Sequence, residues 1–286
     1  MSELITCEQM HRQLTDLVKE SKYRIEMSEH EIRGHRSLNL DTRYCTHWTL
    51  QNAFREFLQN WYDGLLTLFD NADEVRRLSI RYTKSTNQSS FAYRAYYVDD
   101  QNKRLLLGHV SYRQRSVKGI VHHELCVHND YTVLSTSILL LGCSTKNSGR
   151  SKSGGHNKYA GGFGEGLKIG ILRFVAMPGM HVHYDTGERR WTFLVRRTDN
   201  ARGELCVRTS ALNVTKTKNR RSTCVLIRWP VQQVHGLSRS IRLEDVFDEH
   251  AYAWLTDTYR DEEKRAERVL STEHGDLILD DPQQRG

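Results

Sequence analysis

The chain has 286 residues, with 42 Lys and Arg against 35 Asp and Glu, giving a formal net charge of +7 and a pI near 9.1. Its 38% hydrophobic and 9% aromatic content, with 19 Gly and only 3 Pro, belongs to a globular chain of one large or two small domains and excludes collagen-like and wholly disordered classes. The longest strongly apolar run, around Ile138 to Leu141, is far short of the ~20 residues of a membrane span, and the polar start lacks the apolar stretch of a signal peptide. A soluble intracellular protein, nuclear or cytoplasmic and without a membrane partner, is the expectation. Six Cys without a C-x-x-C pair read as reduced, mostly packed thiols. The modest positive charge suits nucleic acid, nucleotide phosphates or plain solubility equally well.

Residues 1–40 are polar with scattered apolar positions (Ile5, Met10, Leu14, Leu17, Val18) and read as an N-terminal helical arm. From Thr46 the periodicity sharpens: Leu50, Phe54, Phe57, Leu58, Trp61 and Leu65 fall on one side of a helical wheel, which predicts a well-buried amphipathic helix. After Asn71 the period becomes two, and Leu78–Tyr82, Phe91–Val98, Arg104–Tyr112 and Ile120–Val127 read as successive antiparallel strands. A short helix over Thr132–Leu141 precedes a Ser/Gly/Lys-rich loop, Ser144–Tyr159. A second apolar helix runs from about Gly164 to Ala176. Strands follow at Trp191–Arg197, Glu204–Ser210 and Thr223–Trp229, with the basic turn Lys216–Arg221 before the last. The segment 236–286 reads as a charged helical extension, from Ile241 to Leu270, and a polar tail. The pattern predicts an α+β two-layer sandwich over residues 41–235: a mixed, mostly antiparallel sheet covered by helices on one face.

Three stretches carry chemistry. In the first helix, Glu56, Asn60 and Asp63 lie within roughly 60° of one another on a polar stripe at about 100° per residue. A carboxylate there can take a proton from water, and an amide oxygen is a hard neutral ligand suited to Mg²⁺. Alone, such spacing is also what any solvated helix face shows. In the second stretch, Gly161 to Gly170, closely spaced glycines before an apolar helix let backbone N–H groups turn toward an anion, with Lys168 adding charge. It is not a Walker loop, because Leu167 and Ile169 flank Lys168 where Gly and Ser or Thr belong, nor a dinucleotide fingerprint. The third stretch, Leu141 to Lys146 and a loop bearing Arg150, Lys152, His156 and Lys158, has the composition of a basic lid over a phosphate site.

In this order, E-x-x-x-N-x-x-D-G on a helix, a strand ending in a polar turn, G-x-S-T-K, G-x-F-G-E-G-L-K and the late strand from Ser222 resemble the GHKL ATPases, the superfamily of gyrase B, the heat-shock chaperone, histidine kinases and MutL. The glycine motifs are most similar to the microrchidia type, and the resemblance spans about residues 46–230. It implies Mg·ATP as ligand, the Bergerat ATP-binding fold, and a hydrolase acting as a nucleotide-gated conformational or dimerisation switch. By the resemblance, Glu56 matches the general base that orients water, Asn60 the Mg²⁺ ligand and Asp63 the supporting acid. Gly162, Gly164, Glu165, Gly166, Leu167 and Lys168 match the phosphate-binding turn, Lys146 the lid, and Thr223 the threonine beneath the adenine. One departure stands out. Where the superfamily has D-x-G-x-G with an Asp accepting the adenine amino proton, this chain reads His128-Asn-Asp-Tyr-Thr-Val133, so Asn129, or Asp130 after a one-residue shift, takes that role.

Two readings from other classes stay open: a nucleotide-binding interaction module that does not hydrolyse, in which ATP exposes a dimerisation arm of a homodimer, and a nucleic-acid-binding protein using its basic loops. His30-Glu-Ile-Arg33 looks like a phosphoacceptor box but stands too close to Glu56 for the intervening helical hairpin. His122-His-Glu124 and His181-x-His183-x-Asp185 have the look of metal ligands, yet strand alternation places such residues without a ligand role.

Overall fold

The computed structural model describes residues 5–28, 35–44, 46–85, 89–139, 165–197, 203–212, 221–232 and 239–249, with 234, 252, 255 and 256. Lys146, Gly162, Gly164, the expected lid, the loop part of the basic turn and everything after 256 lie outside the described residues.

The N-terminal segment folds as helix α1 (Cys7–Ser28) and strand β1 (His35–Asp41). Helix α2 (Leu50–Leu66) follows, started by Thr49, whose hydroxyl oxygen accepts the Asn52 N–H at 3.1 Å and so satisfies a donor that the helix cannot. A single turn of helix, α3 (Ala72–Val75), leads into β2 (Leu78–Lys84), β3 (Ser90–Val98), β4 (Arg104–Val117) and β5 (Ile120–Asn129). The β4–β5 hairpin closes through Lys118 and Gly119, both at positive φ (52° and 81°), the two-residue turn whose twist matches that of its strands. The helix expected at Thr132–Leu141 is a 3₁₀ turn over Thr136–Leu139. Helix α4 (Gly166–Val175), β6 (His181–Thr186), β7 (Arg189–Arg197), β8 (Gly203–Ala211) and β9 (Thr223–Pro230) follow, with a 3₁₀ turn at Leu243–Asp245 where a helix from Ile241 was expected.

The nine strands among the described residues form one sheet in the order β1-β8-β7-β6-β9-β5-β4-β3-β2. Every described pairing is antiparallel, so the mixed component of the expected sheet is absent among the described residues. Helix α2 lies over β4 and β5, α4 lies over β6 and β7, and the two helices pack on each other. On this inner face Val110, Leu125, Val127, Val182, Tyr184, Val225 and Ile227 meet the apolar sides of the helices in one hydrophobic cluster. Cys7, Met10 and Leu14 of α1 join the same cluster, and so do Val246, Phe247, Tyr252 and Leu255, with the Phe247 ring stacked 4.5 Å from Phe91. The described ends of the chain are thus part of the core, not appendages to it.

The outer face is polar. Its most buried charge is Glu124, 2% exposed, which accepts from Arg113 (2.8 and 2.6 Å) and from Arg228 (3.2 and 2.6 Å), with Arg115 at 3.8 Å. Burial by itself pushes this carboxyl up, but hydrogen bonds from Arg228 and Arg113 and their charge outweigh it and hold the group below the usual carboxylate range. A carboxylate depressed by folding contributes stability that is fully present above its unfolded value of about 4.3 and is lost as pH falls through the lower folded value. Thermal melts from about pH 5 down to pH 3 should therefore show a steeper fall in Tm for the wild type than for Glu124→Gln.

Candidate functional site

The site is built where α2, α4 and the ends of β5, β9 and β6 meet. Gly166 and Gly170 stand one turn apart on α4 and face α2. A Cβ on Gly170 would lie 3.0 Å from the Ala53 carbonyl oxygen and 3.3 Å from Phe57, and one on Gly166 would run into the Glu56 carboxylate, with Cδ at 2.6 Å. At Gly170 the backbones lie close enough that a side chain would press on the Ala53 carbonyl, whereas at Gly166 it would have to displace the Glu56 carboxylate. The half-buried Glu56 carboxylate therefore rests against the first residue of α4, at the helix end where N–H groups lack intrahelical acceptors and the dipole is positive. One turn further along α2, the Asn60 side-chain N–H donates to the Glu56 carbonyl at 2.6 Å, which commits the donor end of the amide to the helix. Asp63 is 2% exposed, not solvated as a polar stripe implied, and Lys168 of α4 is wholly buried. An ammonium so placed demands acceptors or a counter-charge around it.

The C-terminal half of α2 is anchored to the sheet. The Trp61 indole N–H donates to the His128 carbonyl at 3.0 Å, over Gly108, where a Cβ would come within 2.5 Å of that same oxygen and 3.0 Å of the indole nitrogen. In return the Asn129 side-chain N–H donates to the Trp61 carbonyl at 3.0 Å, and Gly64 leaves room for that amide at 3.1 Å. Leu107 is the extra residue of a β-bulge between Ala95 and Tyr96, and its carbonyl accepts the Asp130 N–H at 2.8 Å. Of the two adjacent acids and amides at this turn, Asn129 points to the helices. Asp130 instead contacts His128 Nε2 at 3.1 Å, on the outer side.

Asn129, Thr223 and Thr186 pair directly across β5, β9 and β6 and form a polar row at the inner end of the sheet. The Leu134 N–H donates to the Thr186 hydroxyl (2.8 Å), and the Thr223 hydroxyl donates to the Thr132 carbonyl (2.9 Å). The remaining 3.0 Å contact between the hydroxyls must then run from Thr186 to Thr223, so both protons are committed. Together they fasten the turn that follows Asn129. Thr223→Val leaves the Thr132 carbonyl and the Thr186 proton without partners at a buried place, and should cost about 1–3 kcal/mol by urea denaturation, with Thr223→Ser near wild type.

No protein-family model and no curated protein matches the chain.

Of the residues singled out by the sequence, Glu56, Asn60, Gly166 and Lys168 thus lie on two packed helices, and Asn129 and Thr223 lie at the strand ends beneath the C-terminal half of α2. Glu165 precedes α4, within 3.4 Å of the Tyr44 hydroxyl, and Leu167 packs against the core. Trp61 and Thr186 were missed. Thr186 had a signal, since it continues the inner-face alternation of Val182 and Tyr184 in a polar residue. The histidine-rich strand motifs have other occupations: the His123 ring stacks 4.9 Å from Trp229 and bonds the Tyr112 hydroxyl, His183 contacts Thr192, and Asp185 holds Arg190. No group of three or more His, Cys, Asp or Glu positioned for a metal ion occurs among the described residues, and no described helix is long and apolar enough to cross a membrane.

Proposed function

We propose that the polar edge where Glu56 and Asn60 of α2, the head of α4 and the Asn129–Thr223 strand ends come together is a GHKL-type site for Mg·ATP, and that the protein is a slow ATP hydrolase working as a nucleotide-gated switch. The observation that carries this reading is that residues far apart in sequence gather along one helix: Glu56 touches Gly166, and one to two turns on Trp61 and Gly64 hold Asn129, whose strand partner is Thr223. The donor set fits the ligand. Asn60 offers Mg²⁺ the hard amide oxygen that the cation prefers, and the ion when bound neutralises phosphate charge. Lys168 and the start of α4 supply positive potential for the phosphates. Asn129 spends its N–H on the Trp61 carbonyl, which turns the acceptor end of its amide to an adenine amino group. Thr223 and Thr186 act by holding the turn beside it. Glu56 orients and deprotonates water; the rest is positioning and charge.

Titration calorimetry with ATP, ADP and GTP, with and without Mg²⁺, tests this. Heat from adenine nucleotides that strengthens with Mg²⁺ is expected, and no heat from any nucleotide removes the reading.

Nucleic-acid binding has an observation of its own. The outer face carries exposed Arg81, Arg94, Arg113, Arg115, Arg190 and Arg208, a flat array suited to phosphates. It predicts a DNA or RNA affinity that falls steeply with salt and ignores ATP.

A further inference from the structure

On the outer face, Cys126 of β5 and Cys224 of β9 stand one diagonal step apart, since Cys126 pairs with Leu226 and His128 with Cys224. Their sulfurs are 3.4 Å apart. The His109 ring of β4 brings Nε2 within 3.9 Å of the Cys126 sulfur and stacks on the His128 ring at 5.0 Å, and His128 in turn contacts Asp130. From β6 and β7, Asp185 and Arg190 face the pair as a bidentate ion pair at 2.6 Å in both contacts, Asp185 standing directly opposite Cys224. Two thiols, two imidazoles and a carboxylate so grouped are used by nothing described above.

We infer that Cys126 and Cys224 are a peroxide-reactive dithiol, closing to a reversible intrachain disulfide on the sheet face opposite the helices. The hydrogen bond from the Cys224 thiol, with His109 and His128 nearby, outweighs burial and pulls the Cys126 thiol below the usual thiol range, while the same bond and burial push Cys224 up. Burial pushes the His128 imidazole down, but its hydrogen bond to Asp130 and that carboxylate's charge outweigh burial and push it up. Cys126, whose sulfur has the His109 Nε2 at 3.9 Å, is the attacking thiolate, and Cys224 is the resolving thiol. The Cys126 sulfur attacks the terminal oxygen of a hydroperoxide; the O–O bond breaks, an alcohol or water leaves with a proton from His128 or solvent, and a sulfenic acid forms. Cys224 then loses its proton, its sulfur attacks that of Cys126, the S–O bond breaks and water leaves. Two thiols and one peroxide give one disulfide, one alcohol and one water, with sulfur oxidised and peroxide reduced by two electrons. The sulfurs need to close by only ~1.4 Å to reach the ~2.0 Å of the bond.

Cys7 and Cys206 are internal controls, because both are buried and burial pushes their thiols up. Wild-type full chain treated with a few equivalents of hydrogen peroxide, then mapped by mass spectrometry without reduction, should yield a Cys126–Cys224 linked peptide in a monomer, lost on adding dithiothreitol. Alkylation of Cys126 by iodoacetamide should be nearly flat from pH 6 to 8, where an ordinary thiol of pKa ~8.5 gains roughly tenfold per unit. Cys224→Ser should instead hold a dimedone-trappable sulfenic acid at Cys126. Links between other cysteines or between two chains, persistent sulfenic acid at Cys126 in the wild type, or Cys126 reacting no faster than Cys206 would each overturn the assignment.

Discussion

If the proposed site hydrolyses ATP, Glu56→Gln should slow Mg²⁺-dependent phosphate release by roughly 10²–10⁴-fold and leave ATP affinity within a few fold. The amide keeps the length and shape that pack against Gly166, so α2 and α4 stay in contact and Tm stays near wild type; only the capacity to take a proton from water is lost. Malachite-green assays under saturating ATP, with calorimetry of the same variant, separate the two effects. Gly166→Ala makes the complementary perturbation. Its methyl group has no room beside the Glu56 carboxylate, so it displaces the base without changing it chemically, and turnover should fall as well. A Glu56→Gln protein that hydrolyses at the wild-type rate would leave Glu56 a packing group at a helix end.

Trp61→Ala is the variant expected to cost most in stability, about 3–5 kcal/mol. The ring is 1% exposed, so its loss leaves a large cavity between α2 and β4, and the His128 carbonyl loses its indole donor. For a chain of this size, each kcal/mol shifts Tm by about 2–4 °C, so a drop on the order of 10 °C is expected in a thermal melt. Trp61→Phe, which retains much of the volume but not the N–H, should lose only about 1–2 kcal/mol. Leu106→Ala on the same strand, 37% exposed, should stay within about 0.5 kcal/mol. Equal losses for Trp61→Ala and Leu106→Ala would contradict the anchoring role.

Helix α2 and strands β2 to β5 were legible because each buries one face: the apolar repeat of α2 and the alternation in Phe91–Val98 record local neighbours three, four or two residues away. Strand β1 was not legible. Leu38 and Leu40 alternate, but Asn39 sits between them at positive φ (57°) and the pairing with β8 shifts register, which erases the period. The C-terminal segment hid for a different reason. Val246, Phe247, Tyr252 and Leu255 are too few among charged residues to mark a core element until Phe54 and Phe91 supply the other side of the cluster.

The candidate site divides along the same line. Glu56 and Asn60 sharing a helix stripe is a matter of spacing alone, as is the apolar helix behind the glycines, since both follow from rotation per residue. Which of Asn129 and Asp130 faces the helices, that Gly166 lies against the Glu56 carboxylate, and that Thr186 stands beside Thr223 were decided only when distant strands and helices met. Sequence periodicity states which face a residue occupies on its own element, whereas the partner across that face is set by which edges and helices pack together, and that is a property of the whole chain.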